Sequence, residues 1–518
     1  MASNTLLHLA RNLHGNRRSH FMARSHHMAI QGLQSALLGI KVAQRGLDLV
    51  AQNTANVSTP GYTRKILPQH SLFIDNQFSG VWVGETSRNV DGALLKDYWK
   101  QVSNASYYGT RATYMSRIED LNGSPDSEIS IAAEISTLND RFIKLSSVPD
   151  STVLQNDTLR QAQTVAETLN RLSESFTKLR GDVQTAMETT VEGINATLTE
   201  LADINKSIVT EIYAGHSTAD LEDYRDQLVN TLSGQMEITS YKQGDGTLVV
   251  QTRDGQLLAD TEARLLSFTP TSITTTSAYP ATAAGIYVGD PSTNIDLCAG
   301  NPGGKLGALI EMRDTTLPQQ NAQIDEIAHK MALRFDAQGL RLFSDSSGNI
   351  PADAPPAYVG FAGTITVNPA VVADSSLIQQ GTGAGGLNAG SNAVINNILA
   401  YTFGTTADAA GTAHDPFRTS GLGPDGTLTT GMTGTATLVE YARTIISRHA
   451  QETANTQGKE TQETTYSELL LKRLQDSSCV NLDEEVANMI ELQRNYAAAA
   501  RVFQSMDQIF EELLNTVR

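Results

Sequence analysis

Cysteine, aromatic residues, net positive charge and long apolar runs are all scarce in this chain of 518 residues. Only two cysteines occur, Cys298 and Cys479, outside any paired metal-ligand spacing. A disulfide framework is therefore excluded, and two free or buried thiols are expected. Aromatics make up 6% and charged residues 18% of the chain, a thin-cored composition that suits long helices better than a compact α/β enzyme. With a formal net charge of -18, no internal segment supplies the basic face that displaces counterions from phosphates. That argues against nucleic acid and against an anionic membrane as partners. No stretch reaches the ~18 consecutive apolar residues of a membrane-spanning helix. At this length two to four domains are expected.

Catalytic motifs are missing as well. There is no phosphate-binding G-x-x-x-x-G-K-[ST], no H-E-x-x-H and no G-x-S-x-G. "GTGAGG" (381–386) matches a dinucleotide fingerprint only formally, because no strand precedes it in a Gly/Ala/Thr-rich stretch. Five histidines follow the leader: His70, His216, His329, His414 and His449, scattered one per segment. His329 reads as a surface or satisfied helical residue, and the pairs Glu484/Glu485 and Glu511/Glu512 read as solvated helix charge. No catalytic, cofactor-binding or metal-ligating residue is assigned and no cofactor is implied. The chain reads as a structural protein rather than an enzyme.

What the chain does contain is helical periodicity. Residues 1–27 stand apart, with four arginines, five of the ten histidines and no acid. They lack the apolar stretch and cleavage site of a secretory signal. They read as a tag, a disordered leader or an over-extended start, with the true beginning at Met28 or Met22. From there Ile30, Leu33, Leu37, Ile40 and Leu47 form an apolar helical stripe, flanked by a stripe of small residues, Gly32, Ala36, Gly39, Ala43 and Gly46. Each glycine inside a helix costs about 1 kcal/mol against alanine. That cost is easiest to understand if small residues let another helix or subunit approach closely; incidental glycines in a weak helix are the lesser alternative.

The helix ends in "LVAQNTANVSTPGYTRK" (49–65), where Asn53, Asn56, Thr59, Pro60, Gly61 and Tyr62 make a turn-like stop. Pro60 disfavours helix at Thr59, and Gly61 permits a positive φ. Tyr62 either anchors the turn by packing or belongs to a purely local turn. Residues 66–90 read as extended and hairpin-like, 91–121 as helix, and 152–213 as the longest periodic stretch. Along that stretch Val165, Leu169, Leu172, Phe176, Leu179, Val183 and Ala186 step four and three residues apart. Period-two segments with Gly-Asp-Gly and Arg-Asp-Gly turns follow, then a helix after Gly303-Gly304, then a Gly/Ala/Thr-rich stretch over 345–432. Helix returns at 436–478 and 482–518. On the last helix Met489, Leu492, Tyr496, Ala499, Phe503, Met506, Phe510, Leu513 and Val517 make an unbroken stripe, and Asn481 or Asp483 can cap its start. Such a seam requires a partner.

Both ends carry a resemblance. "ANVSTPGYTR" (55–64) resembles the N-terminal signature of the bacterial flagellar rod, hook and hook-associated proteins, and "VNLDEEVANMIELQRNYAAAARVFQSMDQIFEELLNTVR" (480–518) resembles their C-terminal signature. "DLEDYRDQLVNTLS" (220–233) and "GGKLGALIEMRDTTLPQQNAQIDEIAHKMALRFD" (303–336) resemble the hook–filament junction members of that superfamily. The likeness covers about 28–345 and 435–518, with one further piece at 385–404. It departs at Glu222, Tyr224, Asp336 and Gly339, and in the leader.

The resemblance implies a mainly α, elongated fold with β-rich insertions. Residues 28–62 and 480–518 would pair as an inner coiled coil; 63–240, 303–344 and 435–479 would form a helical rod domain. Residues 241–302 would be a β-hairpin segment and 345–434 an outer β-rich domain. The implied role is a structural adapter that self-assembles into a junction ring between the hook protein and a second junction protein. Export would follow the flagellar type III route to the extracellular flagellum, with a cytoplasmic chaperone holding the C-terminal helix. A hook or distal-rod subunit is the alternative within the superfamily. A secreted adhesin or hydrolase on helical stalks, working through 345–432, is the alternative outside it.

Overall fold

The structure is a computed structural model describing residues 30–517, except 31, 75–76, 124–129, 290–291, 293–294, 384–387, 389 and 433. The leader 1–27 and half of "GTGAGG" therefore lie outside the described residues. Helix α1 (32–55) leads into strands β1 (Lys65–Ile66), β2 (Gln69–Ile74), β3 (Gln77–Val83) and β4 (Ser87–Arg88). β2 and β3 form an antiparallel hairpin, and β1 pairs with β4 across its base. Helices α2 (Gly92–Asn122), α3 (Ile131–Ser147), α4 (Thr152–Ala214) and α5 (Ala219–Gln235) follow. Next come the antiparallel meander β5 (Ile238–Lys242), β6 (Leu248–Thr252) and β7 (Leu257–Ala259), and the pair β8 (Leu266–Ser267) and β9 (Tyr287–Val288). A π-helical turn, Met312–Thr316, joins α6 (Gly304–Glu311) to α7 (Leu317–Ala337). β10 (Phe343–Ser344) pairs with β11 (Thr366–Val367), followed by the short helices α8 (Pro369–Ala373), α9 (Leu377–Gln380) and α10 (Ala393–Asn397). The long helices α11 (Leu438–Ser478) and α12 (Leu482–Val517) complete the fold.

The boundaries have local causes. Asp91 caps α2 by accepting from the Ala93 and Leu94 amides, and α11 starts with a reciprocal capping box between Thr437 and Glu440. Gly215, in the left-handed region at φ 74°, ends α4. The π-turn precedes Pro318, which has no N–H to give the carbonyl of Asp314 and whose ring would crowd it in a regular helix.

With 63 residues, α4 is about 94 Å long and frames the molecule. Its stripe from Leu159 to Ile208 is buried against α3, α5, α6 and α7. Three of its asparagines act as short strand edges. Asn195 accepts from the Leu266 amide (2.6 Å) and donates to the Leu266 carbonyl (2.8 Å). Asn205 treats Leu248 the same way at 3.1 and 2.9 Å, and Asn170 donates to the carbonyls of Ala362 and Ile365. Backbone groups buried against the helix thereby find partners without a continuous sheet. α3 has no counterpart in the sequence expectations, although Ile131, Ile135, Leu138, Phe142 and Leu145 step 4-3-4-3 and are all buried.

The expectation of a β-rich outer domain over 345–434 is corrected. Among the described residues this segment holds one two-residue strand, two isolated bridges and short helices. Its apolar residues Phe361, Ile365, Val371, Ile378, Ile395, Ile398 and Phe417 join the same buried core as α4 and α7. The segment lacks the alternating runs that build a sheet, so it covers the helices instead. Two buried carboxylates on α7 hold it there. Asp325 accepts from the amides of Gly360 and Ala362, each at 2.8 Å. Glu326 accepts from the Tyr358 hydroxyl at 2.7 Å and the Arg418 amide at 2.8 Å.

Desolvation pushes the Asp325 carboxyl up to about 7, only partly offset by its two amide donors. A raised folded-state value favours folding most below the unfolded value of 3.8, and that contribution is lost as pH rises through 7. The stability difference between wild type and Asp325→Asn should therefore move by up to about 4 kcal/mol toward wild type between pH 7 and pH 4. Urea denaturation at both pH values tests this, and a constant difference would contradict it.

Candidate functional site: the corner joining both ends of the chain

α1 and α12 run antiparallel, with contacts repeating once per heptad on each helix. A Cβ on Gly32 would lie 2.8 Å from Met506 Cε, one on Gly39 3.5 Å from Ala499 Cβ, and one on Gly46 2.8 Å from Leu492 Cδ2. The glycines thus let the two helices approach closely. α1 turns its small-residue stripe to α12, not its apolar stripe. Ala36 and Ala43 are 6% and 2% exposed, whereas Ile30 and Leu37 are 44% and 43% exposed. Leu33, Ile40 and Leu47 are half-buried. On α12, Met489, Leu492, Ala499, Phe503, Met506 and Phe510 are half-buried and Tyr496 is 37% exposed. The side chains of Leu513 and Val517 lie outside the described residues.

Where α1 stops, Asn53 is buried and serves as a hub. Its Oδ1 accepts from the Tyr62 hydroxyl (2.9 Å) and the Lys65 amide (3.0 Å). Its Nδ2 donates to the Lys65 carbonyl at 3.0 Å and to Glu485 on α12 at 3.3 Å. Thr59 donates through its hydroxyl to Asn56, whose own amide caps back on the Gln52 carbonyl. Gly61 has φ 78°, where L side chains are strained, and a Cβ there would also displace the Gln227 side chain, so the backbone conformation is what favours glycine. Pro60 presents its carbonyl to Gln227. Tyr62 does more than pack. Its hydroxyl holds Asn53 while the Lys65 ammonium sits 4.7 Å from its ring centroid. Burial, followed by the nearby carboxylates Asp220, Asp223 and Glu485, pushes the Tyr62 phenol up to about 12.

Charged residues outside the expected turn complete the corner. Arg64 pairs with Glu485 and Glu484 at 2.8 Å each. Lys65 is buried, pairs with Asp223 and donates to the Ala219 carbonyl. Arg88 spans Glu222, Asp223 and Asp226. Its desolvation is outweighed by these carboxylates, Asp226 first, so its pKa is raised. Glu485, read from sequence as solvated, is 2% exposed, because the start of α12 packs against the turn. The capping expectation for α12 is met by Asn481, whose Oδ1 accepts from the Asp483 amide at 3.0 Å. Arg64, Asp223 and Asp226 belong to the motifs that carried the resemblance; nothing in the sequence marks Lys65 as buried.

Asn53→Leu should cost about 2–4 kcal/mol, because it takes the side-chain partner from the Lys65 amide and carbonyl, and leaves buried Glu485 with Arg64 but without its amide donor. Urea denaturation tests this, and a change under about 0.5 kcal/mol, typical of a surface site, would contradict it.

The remaining candidates are structural. His329 is fully buried, not at the surface, stacked 4.4 Å from Tyr358 and bonded to the Pro351 carbonyl. His449 is buried against the Met115 carbonyl, and His414 bonds to the Gly404 carbonyl. His70 stacks on Trp82, and His216 lies 2.6 Å from Glu211. Cys298 and Cys479 are both free. Among the described residues no helix is long and apolar enough to cross a membrane.

Known proteins share this architecture of sequence. The family described as the helical domain of flagellar hook-associated protein FlgK matches residues 115–349. The C-terminal family of flagellar basal body rod proteins FlgEFG matches residues 476–516. Flagellar hook-associated protein 1 of Bacillus subtilis is 27% identical, over 93% of this chain and 97% of its own length. That of Salmonella typhimurium is 25% identical, over 93% and 99%. A solved structure of the flagellar hook junction protein FlgK from Burkholderia pseudomallei is 21% identical and covers 50% of this chain and 46% of its own, with a TM-score of 0.39. Both relatives match nearly end to end, and the corner is built from both terminal motifs, so the chain is similar to flagellar hook-associated protein 1 over almost its whole length.

Proposed function

We propose that this chain is a structural subunit of the bacterial flagellum, an adapter at the hook–filament junction on which filament assembly depends. The observation that carries the reading is the near end-to-end likeness to flagellar hook-associated protein 1. The relatives are structural flagellar proteins, and the chain acts by assembling with others in the hook–filament region. The finer partners are part of the proposal: copies of itself in a ring, the hook protein on one side, and a second junction protein on the other. α1 and α12 extend as a coiled coil lining the inner layer, with the apolar stripe of α1 turned to a neighbouring subunit. Support comes from the partial exposure of that stripe, which a free chain leaves half in water. Export through the flagellar type III apparatus, with a chaperone on α12 beforehand, would keep these surfaces covered in the cytoplasm.

Electron microscopy of a deletion strain tests the reading. Hooks present but bare of filaments are the expected result, restored by the wild-type gene. Loss of the hook itself would point to a hook or distal-rod subunit, and normal filaments would overturn the reading.

A further inference from the structure

Three consecutive residues, Thr63, Arg64 and Lys65, reach alternately to two parts of the molecule, α5 and the junction of α11 with α12. Thr63 gives Asp223 on α5 both its amide (3.1 Å) and its hydroxyl (2.6 Å). Arg64 turns the other way, to Glu484 and Glu485 on α12, and its amide donates to the Ser478 carbonyl at the end of α11 (2.7 Å). Lys65 turns back to α5, pairing with Asp223 and donating to the Ala219 carbonyl. This alternation is what extended backbone imposes. Asn53 closes the loop by holding the Lys65 backbone and Glu485 at once.

The arrangement makes each side's burial conditional on the other. Lys65 is 2% exposed, and its ammonium is kept out of water by the start of α5, with the buried Asp223 as its nearest counter-charge and the exposed Asp220 further off at 3.5 Å. Glu485 is equally buried and needs Arg64 and Asn53 in place. Displacing residues 63–65 would leave Glu485 buried without its counter-charge and take Thr63 and Lys65 from Asp223. Among the described residues, the rest of α12 lays half-buried side chains on the small-residue face of α1. The buried, charge-paired contact of α12 among the described residues lies in this first turn, at Glu485.

We propose that residues 63–65 form a two-sided latch, through which docking of the start of α12 depends on the acidic start of α5, and the reverse. The latch rests on the geometry of the corner and holds or fails independently of the place of the chain in the flagellum.

Hydrogen–deuterium exchange of the full chain, read by mass spectrometry, tests it. Asp223 bonds to Thr63, Lys65 and Arg88 and to no described residue of α12, yet Asp223→Asn should speed exchange in 482–490 about tenfold, within the range of couplings in one ion network. Glu485→Gln should likewise speed exchange in 219–226. The double variant should do no more than the stronger single one. Should Asp223→Asn fail to fold by circular dichroism, Thr63→Val removes one bond to Asp223 and should give the same pattern, weaker. Exchange that quickens only on the mutated side in every folded variant, with additive effects in the double, would overturn the latch.

Discussion

Gly46→Leu is expected to separate α12 from α1 and to leave hooks without stable filaments, while the helical body stays folded. A Cβ alone at this position would sit 2.8 and 2.9 Å from the two methyls of Leu492. A whole leucine side chain has nowhere to go unless the helices part. Overpacking of this kind costs about 1–3 kcal/mol, against about 1 kcal/mol gained from helix propensity. The small net change in stability would come with a large change in assembly, because in the proposed assembly the helix pair is the surface used. Gly458→Ala is the control: nothing lies within 4 Å of a Cβ on Gly458, so it should be neutral or slightly stabilising. Electron microscopy and swimming of complemented strains read the outcome. Normal filaments with Gly46→Leu would show that the close approach of the two helices is dispensable.

Phe142→Ala should cost about 3–5 kcal/mol. The ring is fully buried where α3, α7 and the chain after α10 converge, with centroids 5.7 Å from Phe335 and 6.1 Å from Phe403. Phe335 in turn meets Phe343 at 5.5 Å and Phe403 at 5.6 Å. Because Phe403 belongs to the 345–434 segment, the lost packing should destabilise that segment and the helical body together. One cooperative urea transition, shifted as a whole, is expected. Two transitions, with only one moved by the substitution, would restore an independent outer domain.

Helices with a single long buried stripe were legible residue by residue. α4 and its stripe, α2, the meander after α5 and the start of α12 at Asn481 all follow from local pattern. α3 carries the same kind of signal in Ile131, Ile135, Leu138, Phe142 and Leu145. The 345–434 segment was harder, because residues such as Phe361, Ile378 and Ile395 are buried one at a time between turns and leave no period to read.

The corner divides in the same way. Local sequence determined that α1 must stop: Pro60 disfavours helix before it, and Gly61 permits the left-handed turn that follows. It also determined that α1 and α12 each carry a face needing cover, since helical spacing alone sets which residues share a face. Tertiary structure decided which face of α1 meets α12, because close approach depends on the depth of the partner's surface, and glycine and alanine leave the deeper one. It decided too that Lys65 and Glu485 are buried. A charge leaves water only when an opposite charge from a distant part of the chain is brought to it, and no local stretch of sequence records that meeting.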